Sequence, residues 1–292
     1  SLQQTDSVLG LVFHNNLALK NIGKLPSPLI KLDKEAADKI IVPHMLRYKA
    51  SLPEFVNVAS GGGFLTIFPD RDGVLRLAPL VLRYENALYA SLALEMVKRY
   101  LLLDAIEIIS QPLGGMLVMD AIVVGGKRIP VGKYGQVNIP FTNKPFSQSK
   151  NIGNISAVDI LNKQFDLKDI QDSIVLVGSS SFTLHDLHAT PIDPTYPGIR
   201  IHAHLIHGLL AGYFPYRPGW GVGAEFLATL IIGLISSFLF PYLSVSFITL
   251  FTFLAAFTLI IGNIWLLQQA HLVLSSVVPL ISLIMIAIFN LI

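Results

Sequence analysis

From Pro218 to Ile292 the chain carries one charged residue, Glu225, while the 217 residues before it hold all the rest of its 21 Lys+Arg and 19 Asp+Glu. Water-soluble folds have no use for such a split. Hydrocarbon imposes it, because a charge loses its hydration there and every backbone amide must be bonded within the protein. The tail divides into three apolar runs, 219–240, 243–267 and 272–292. Each is close to the roughly 20 residues that a helix needs to cross a core of about 30 Å. The breaks, Pro241-Tyr242 and Gln268-Gln269-Ala270-His271, leave room only for tight antiparallel turns. Three crossings would put the polar part and anything after Ile292 on opposite sides of a membrane.

The polar part is nearly neutral and has no basic stripe, which argues against nucleic acid as a partner. Its length suits one sizeable core or two small ones. The chain has no cysteine, which excludes disulfides, thiolate zinc sites and thiol nucleophiles and is compatible with an oxidising periplasm. The links between the apolar runs contain neither Lys nor Arg, so charge does not set their orientation. The chain opens on Ser1-Leu2-Gln3-Gln4 and closes within an apolar run, as expected for the ordered part of a longer protein.

Hydrophobic periodicity predicts a buried strand at 8–13 and a helix over 32–48 interrupted at Pro43. Strands are expected at 55–59 and 65–68, on either side of a flexible bend at Gly61-Gly62-Gly63. Pro69-Asp70-Arg71-Asp72-Gly73 has the chemistry of a hairpin turn, with Gly73 supplying positive φ. A returning strand follows at 74–84, then an amphipathic helix at 88–103. Strands are predicted at 116–124, 127–131 and 137–141, with Gly125-Gly126 as a turn. A short helix starts at Ser156 or Asp159, a buried strand covers 174–177, and a helix over 199–210 ends at Gly212. Alternating strands and helices give an α/β class with a mixed sheet.

Three blocks of residues carry a family resemblance. The first is Phe68-Pro69-Asp70-Arg71-Asp72-Gly73-Val74-Leu75-Arg76 with Pro79-Leu80 and Tyr89-Ala90-Ser91-Leu92-Ala93-Leu94-Glu95. The second is Ile174-Val175-Leu176-Val177-Gly178-Ser179-Ser180, then Asp186 and Thr190-Pro191. The third is Pro197-Gly198-Ile199-Arg200-Ile201-His202-Ala203 with Leu209-Leu210 and Gly212. In this order, with three apolar helices behind, the chain resembles CHASE2 domains, extracytoplasmic sensory modules of bacterial transmembrane receptors. It departs from their pattern at Leu77, where a second basic residue is usual, and it lacks the leading transmembrane helix and first strand-helix portion.

The resemblance implies an α/β, mixed-sheet extracytoplasmic sensor domain at 1–217, with its N-terminal part missing, followed by three transmembrane α-helices at 218–292. It implies a multi-pass protein of the inner (plasma) membrane and a cytosolic effector after the third span. Most often that effector is a class III adenylate or guanylate cyclase, sometimes a kinase. A cyclase would make cAMP as a homodimer, using ATP and a divalent metal in the missing domain; no cofactor is expected in this portion. The expected partners are the membrane, a second copy and an unknown small-molecule or periplasmic protein signal.

Several residues are candidates for binding. Gly178, Ser179 and Ser180 follow the predicted strand at 174–177, where open α/β sheets bind ligands, and Asp186, Thr190 and His202 complete the candidate ligand set. His185, His188, His204 and His207 are weak metal candidates, since imidazole suits zinc but no compact ligand spacing is present. The alternative for each is helix capping, a loop hydrogen bond or plain exposure. Asp70-Arg71-Asp72-Gly73 resembles the start of a calcium loop but lacks its closing Glu, the twelfth position being Val81. A Ser179/His185/Asp186 hydrolase lacks the Gly-x-Ser-x-Gly elbow. Trp220 and Glu225 are candidates for coupling the polar part to the first span. No catalytic residue is expected. The competing reading is a three-span scaffold or complex subunit with a protein-binding periplasmic domain and no effector.

Overall fold

The structure is a computed structural model describing residues 5–141, 153–179 and 186–291; it divides into two compact units, Ser1–Phe214 and Pro215–Ile292. The first unit opens with β1 (Val8–His14), β2 (Ile30–Lys31), α1 (Lys34–Lys39), β3 (Ile40–Ile41), β4 (His44–Met45) and β5 (Arg47–Lys49). Next come α2 (Pro53–Val56), β6 (Gly61–Phe64), β7 (Leu77–Pro79), β8 (Val81–Tyr84), β9 (Ala87–Ala90) and α3 (Leu92–Tyr100). The strands β10 (Glu107–Leu113), β11 (Met116–Val124), β12 (Lys127–Pro130) and β13 (Gln136–Asn138) follow. The unit finishes with α4 (Ala157–Leu161), β14 (Leu187–His188), β15 (Tyr196–Pro197) and α5 (Gly198–Ala211).

These strands make small mixed sheets. β1 pairs antiparallel with β5 and parallel with β6, and β2-β9-β8-β4 combines antiparallel pairs with a parallel β4–β8 edge. β10-β11-β12 is an antiparallel meander with β3 added parallel to β11. The larger core lies between sheet residues such as Val81, Ile122 and Ile129 and the helix residues Leu94, Val97, Ile201 and Leu205. A smaller, aromatic core gathers Phe13, Phe64, Tyr84 and Tyr89 around Leu82, with Phe13 and Tyr89 centroids 5.3 Å apart. That spacing suits tilted aromatic contact.

The strands at 8–13 and 116–124, the Gly125-Gly126 turn and the helix ending at Gly212 stand where the sequence puts them. Elsewhere local pattern yields to tertiary packing. The helix predicted over 32–48 stops at Lys39, because Ile40–Ile41 pairs with β11 and Pro43 leads into β4. Residues 55–59 start in α2 rather than a strand, with Pro53 at its first turn, and 65–68 is not a strand. The glycine run is itself strand β6, not a flexible bend. A Cβ on Gly63 would fall 2.6 Å from Leu92 Cα, so α3 can approach β6 only over glycine.

The strand expected at 74–84 breaks at Leu80 into β7 and β8, which join different sheets. The helix predicted from 88 begins at Leu92, because Ala87–Ala90 returns along β8 and the Ser91 hydroxyl caps α3 by accepting from Leu94 N at 3.2 Å. Of the strand at 137–141, only Val137 and Asn138 belong to β13. The largest correction concerns 174–177, which is an unpaired, irregular segment with Val177 92% exposed. A β-branched run makes a buried strand only where neighbouring strands accept its hydrogen bonds, and none adjoins it among the described residues.

The second unit contains α6 (Gly221–Leu239), α7 (Val245–Ala270) and α8 (Val277–Leu291). Two stretches, Gly221–Tyr242 and Val245–Ala270, are long and apolar enough to cross a membrane, with mean hydropathies of 2.0 and 2.3. The third run is shorter than expected. Its first residues are not helical, and α8 has 15 residues. Gly221 lies against Leu274 and Gly233 against Ile286, so α6 and α8 run parallel while α7 returns between them in sequence. Phe240, Ile248, Leu283 and Ala287 form the interior. Thr229, Thr249, Thr252 and Thr258 donate to carbonyls four residues back, which satisfies their hydroxyls without water.

Candidate functional site

The residues singled out around the third sequence block lie at the start of α5 and on the hairpin that feeds it. β14 and β15 pair through Leu187 with Pro197 and His188 with Tyr196. Thr190 closes the hairpin loop: its hydroxyl donates to Asp193 O at 2.8 Å and accepts from Asp193 N at 3.1 Å. Asp193 in turn accepts from the amide and hydroxyl of Thr195 at 2.7 and 3.0 Å. Leu75 N donates to Ala189 O at 2.8 Å, which ties this loop to the segment after Gly73.

Asp186 begins the hairpin. Its carbonyl accepts from Gly198 N at 2.9 Å, and its carboxylate packs so closely on Gly198 that an added Cβ would come within 2.3 Å. The first residue of α5 is glycine for that reason, and an acidic group at a helix N-terminus meets the positive end of the helix dipole. Oδ1 of Asp186 is also 3.4 Å from His188 Nε2. Gly178 packs against Ile199, with an imaginary Cβ 2.8 Å from Cγ1. Ser179 is part-exposed beside it, while Ser180 and His185 lie outside the described residues.

Two histidines of α5 are buried in neutral form. His202 is 4% exposed, and burial, reinforced by nearby His188, lowers its pKa to about 4 against the opposing effect of a hydrogen bond to the Leu65 backbone. Its Nδ1 is buried without a hydrogen-bond partner. His204 is 2% exposed and is also lowered to about 4, chiefly by burial and secondarily by His207 and Arg200. Its Nε2 lies 2.7 Å from the hydroxyl of Tyr196, and Phe141 packs edge-on to both rings. Burial raises Tyr196 to about 12, so the phenol keeps its proton beside the neutral imidazole.

The histidines therefore serve different neighbours: His202 the Leu65 backbone, His204 Tyr196, and His188 Asp186. Among the described residues no group of three or more His, Asp and Glu is placed to hold a metal ion. The acidic turn is also taken. Arg76 donates to Asp70 Oδ2 at 2.9 Å and to both oxygens of Asp72 at 3.0 and 2.8 Å. Those bonds hold the Asp72 carboxyl at about 2 and push the Arg76 guanidinium up. With Asp70 N bonded to Val74 O and Gly73 at φ +79°, this is a closed turn whose own arginine stands where a cation would be needed.

The strand end expected to floor a pocket at 178–198 does not exist, since 174–177 is not a strand. A cavity of about 10 Å³, room for about one water, lies elsewhere, between Leu9, Lys24, Pro26 and Gly62. Of the coupling candidates, Trp220 is 58% exposed just before α6. Glu225 is not: its side chain is 14% exposed, accepting from Arg217 Nη2 at 2.6 Å and from Ser275 N at 2.7 Å. Sequence reasoning passed over Phe141, Asp193, Tyr196, Arg217, Asn263 and Ser275. None sits in a motif, and only Arg217 carries a signal, as the last cation before the charge-poor tail.

A sensory class of domain fits this arrangement: a mixed α/β unit whose polar side chains are engaged in structure, continued by apolar helices. Residues 3–236 match the family model of the CHASE2 domain, so the chain belongs to the CHASE2 family, whose members are extracellular sensory domains of signalling receptors. The match continues from the polar unit through most of α6. No curated protein and no solved structure matches the chain.

Proposed function

We propose that the chain is the sensory and membrane part of a bacterial receptor that relays an extracytoplasmic signal through three spans to a cytosolic effector. The observation that carries this reading is the unbroken family match from the polar unit into α6. The helix directions support it: α6 and α8 run parallel, so with α8 crossing, its end lies on the far side from the polar unit. A helix of 15 residues covers about 22 Å, and the non-helical lead at 272–276 adds to that depth. The effector we propose is a class III adenylate cyclase acting as a homodimer, with ATP and a divalent metal bound in that domain. For the signal, the candidate contacts are Gly178, Ser179, Ser180, Asp186, Thr190 and His202. Among the described members of that set the unpartnered Nδ1 of His202 is a buried polar atom open to a ligand group or water.

Mapping the C-terminal peptides of the protein from its native source, with cAMP formation in the same preparation, tests the reading. Peptides of a cyclase domain and cAMP output are expected. A native polypeptide without any effector domain would overturn the receptor reading in favour of a membrane scaffold.

A further inference from the structure

An unwound helix entry in a membrane leaves backbone groups that water cannot satisfy, and such backbone is tolerated only where protein covers it. Residues 272–276 form such an entry ahead of α8. Several of their polar groups are met by named partners. Tyr216 N donates to His271 O and Val273 N to Tyr216 O, each at 2.9 Å, a short parallel bridge between the approach to α6 and the approach to α8. Asn263 of α7 donates through Nδ2 to Leu274 O at 2.9 Å and to Ser276 Oγ at 3.2 Å. Ser275 N donates to Oε1 of Glu225, whose Oε2 takes Arg217.

We propose that Glu225 anchors a latch that fastens the approach to α6 (Tyr216, Arg217) and the unwound approach to α8 (272–275) into one piece. Only a carboxylate does both jobs. One oxygen accepts from the freed amide of Ser275 and the other pairs with Arg217. This explains why the tail's one charged residue sits one turn into α6. The polar unit's chain enters α6 through residues 215–217, so whatever moves that entry moves the start of α8 with it. The latch is a property of the helical unit and stands whether or not an effector follows, so it can fail independently of the receptor reading.

The absence of cysteine from these 292 residues simplifies the test. In the full chain in membranes, the pair Tyr216→Cys/Leu272→Cys is oxidised and followed by loss of maleimide-reactive thiol. Gly233→Cys/Ser282→Cys, across the α6–α8 contact, reports helix packing. Both pairs should cross-link. Glu225→Ala should slow the 216/272 pair at least about tenfold and Arg217→Gln about threefold, with the 233/282 pair unchanged. A 216/272 pair that does not cross-link, or that is indifferent to Glu225→Ala, overturns the latch. If Glu225→Ala disrupts both pairs, Arg217→Gln decides: selective slowing of 216/272 supports the latch, and any other result overturns it.

Discussion

In the unit Ser1–Phe214, polar side chains close turns and cap helices around two apolar cores, whereas in Pro215–Ile292 apolar side chains face outward and the few polar ones serve the backbone. Asp72 shares Arg76 with Asp70, Thr190 holds Asp193, and His204 faces Tyr196. In the second unit, Phe238, Phe253 and Phe289 are all more than two-thirds exposed, and the first two lie in stretches long and apolar enough to cross a membrane. Of its two charged side chains Glu225 is 14% exposed, inverting the usual order of a soluble fold, and its partner Arg217 is half exposed. The contrast teaches that the same residue type has different surroundings in each half: the acidic side chains of the Asp-Gly turn are part-exposed and share Arg76, while Glu225 is 14% exposed and also accepts from a backbone amide.

The comparison can be broken first at the cores. Leu94→Ala, at a position fully buried between α3 and its surroundings, should destabilise the polar unit by about 2–5 kcal/mol, read as a lowered denaturant midpoint. Phe257, 55% exposed in mid-α7, gives the opposite lesson: Phe257→Arg should cost about 2.5–3.5 kcal/mol of membrane insertion, read as loss of the chain from the membrane fraction. Val177→Arg, at a still more exposed position of the polar unit, should leave both readouts unchanged.

Acid sharpens the contrast within the polar unit. His202 and His204 have folded values of about 4, below their ordinary 6.5, so the unfolded chain binds more protons between those limits. Stability is complete above about pH 6.5 and falls as pH drops toward 4, by up to about 1.4 kcal/mol per pH unit for each ring. Urea midpoints across that window should show the slope, and His202→Phe should flatten it; an unaltered slope contradicts the assignment. The smallest effect belongs to Arg76→Gln, which removes two solvent-accessible ion pairs and should leave the thermal midpoint unchanged, because Gly73 and the backbone bonds keep the turn.

Local pattern exposed much of this fold. The nine-residue strand Met116–Val124, the helix closed by Gly212 and the charge-poor tail declare themselves through periodicity, a positive-φ glycine or composition. The glycine strand β6 was hidden because its function is to lack side chains beneath α3. The run Ile174–Val177 misled because β propensity reports what fits a sheet, not whether a partner strand is present. The candidate site was legible as a cluster of histidines, yet the sequence could not tell that His202 and His204, two apart on α5, look at different neighbours. Tyr196 and Ser275 were illegible because their roles rest on partners 8 and 50 residues away.

The account's central claim is that the polar unit and the end of α8 lie on opposite sides of the membrane. Single cysteines at Glu54, Tyr242 and Gln269, and one added after Ile292, can be labelled in intact cells with a membrane-impermeant maleimide. Labelling from outside at 54 and 269, with 242 and the added terminal cysteine reacting only after permeabilisation, is the predicted result. A terminal cysteine that labels from outside together with 54 would mean that α8 does not cross, and the relay from sensor to cytosol would be contradicted.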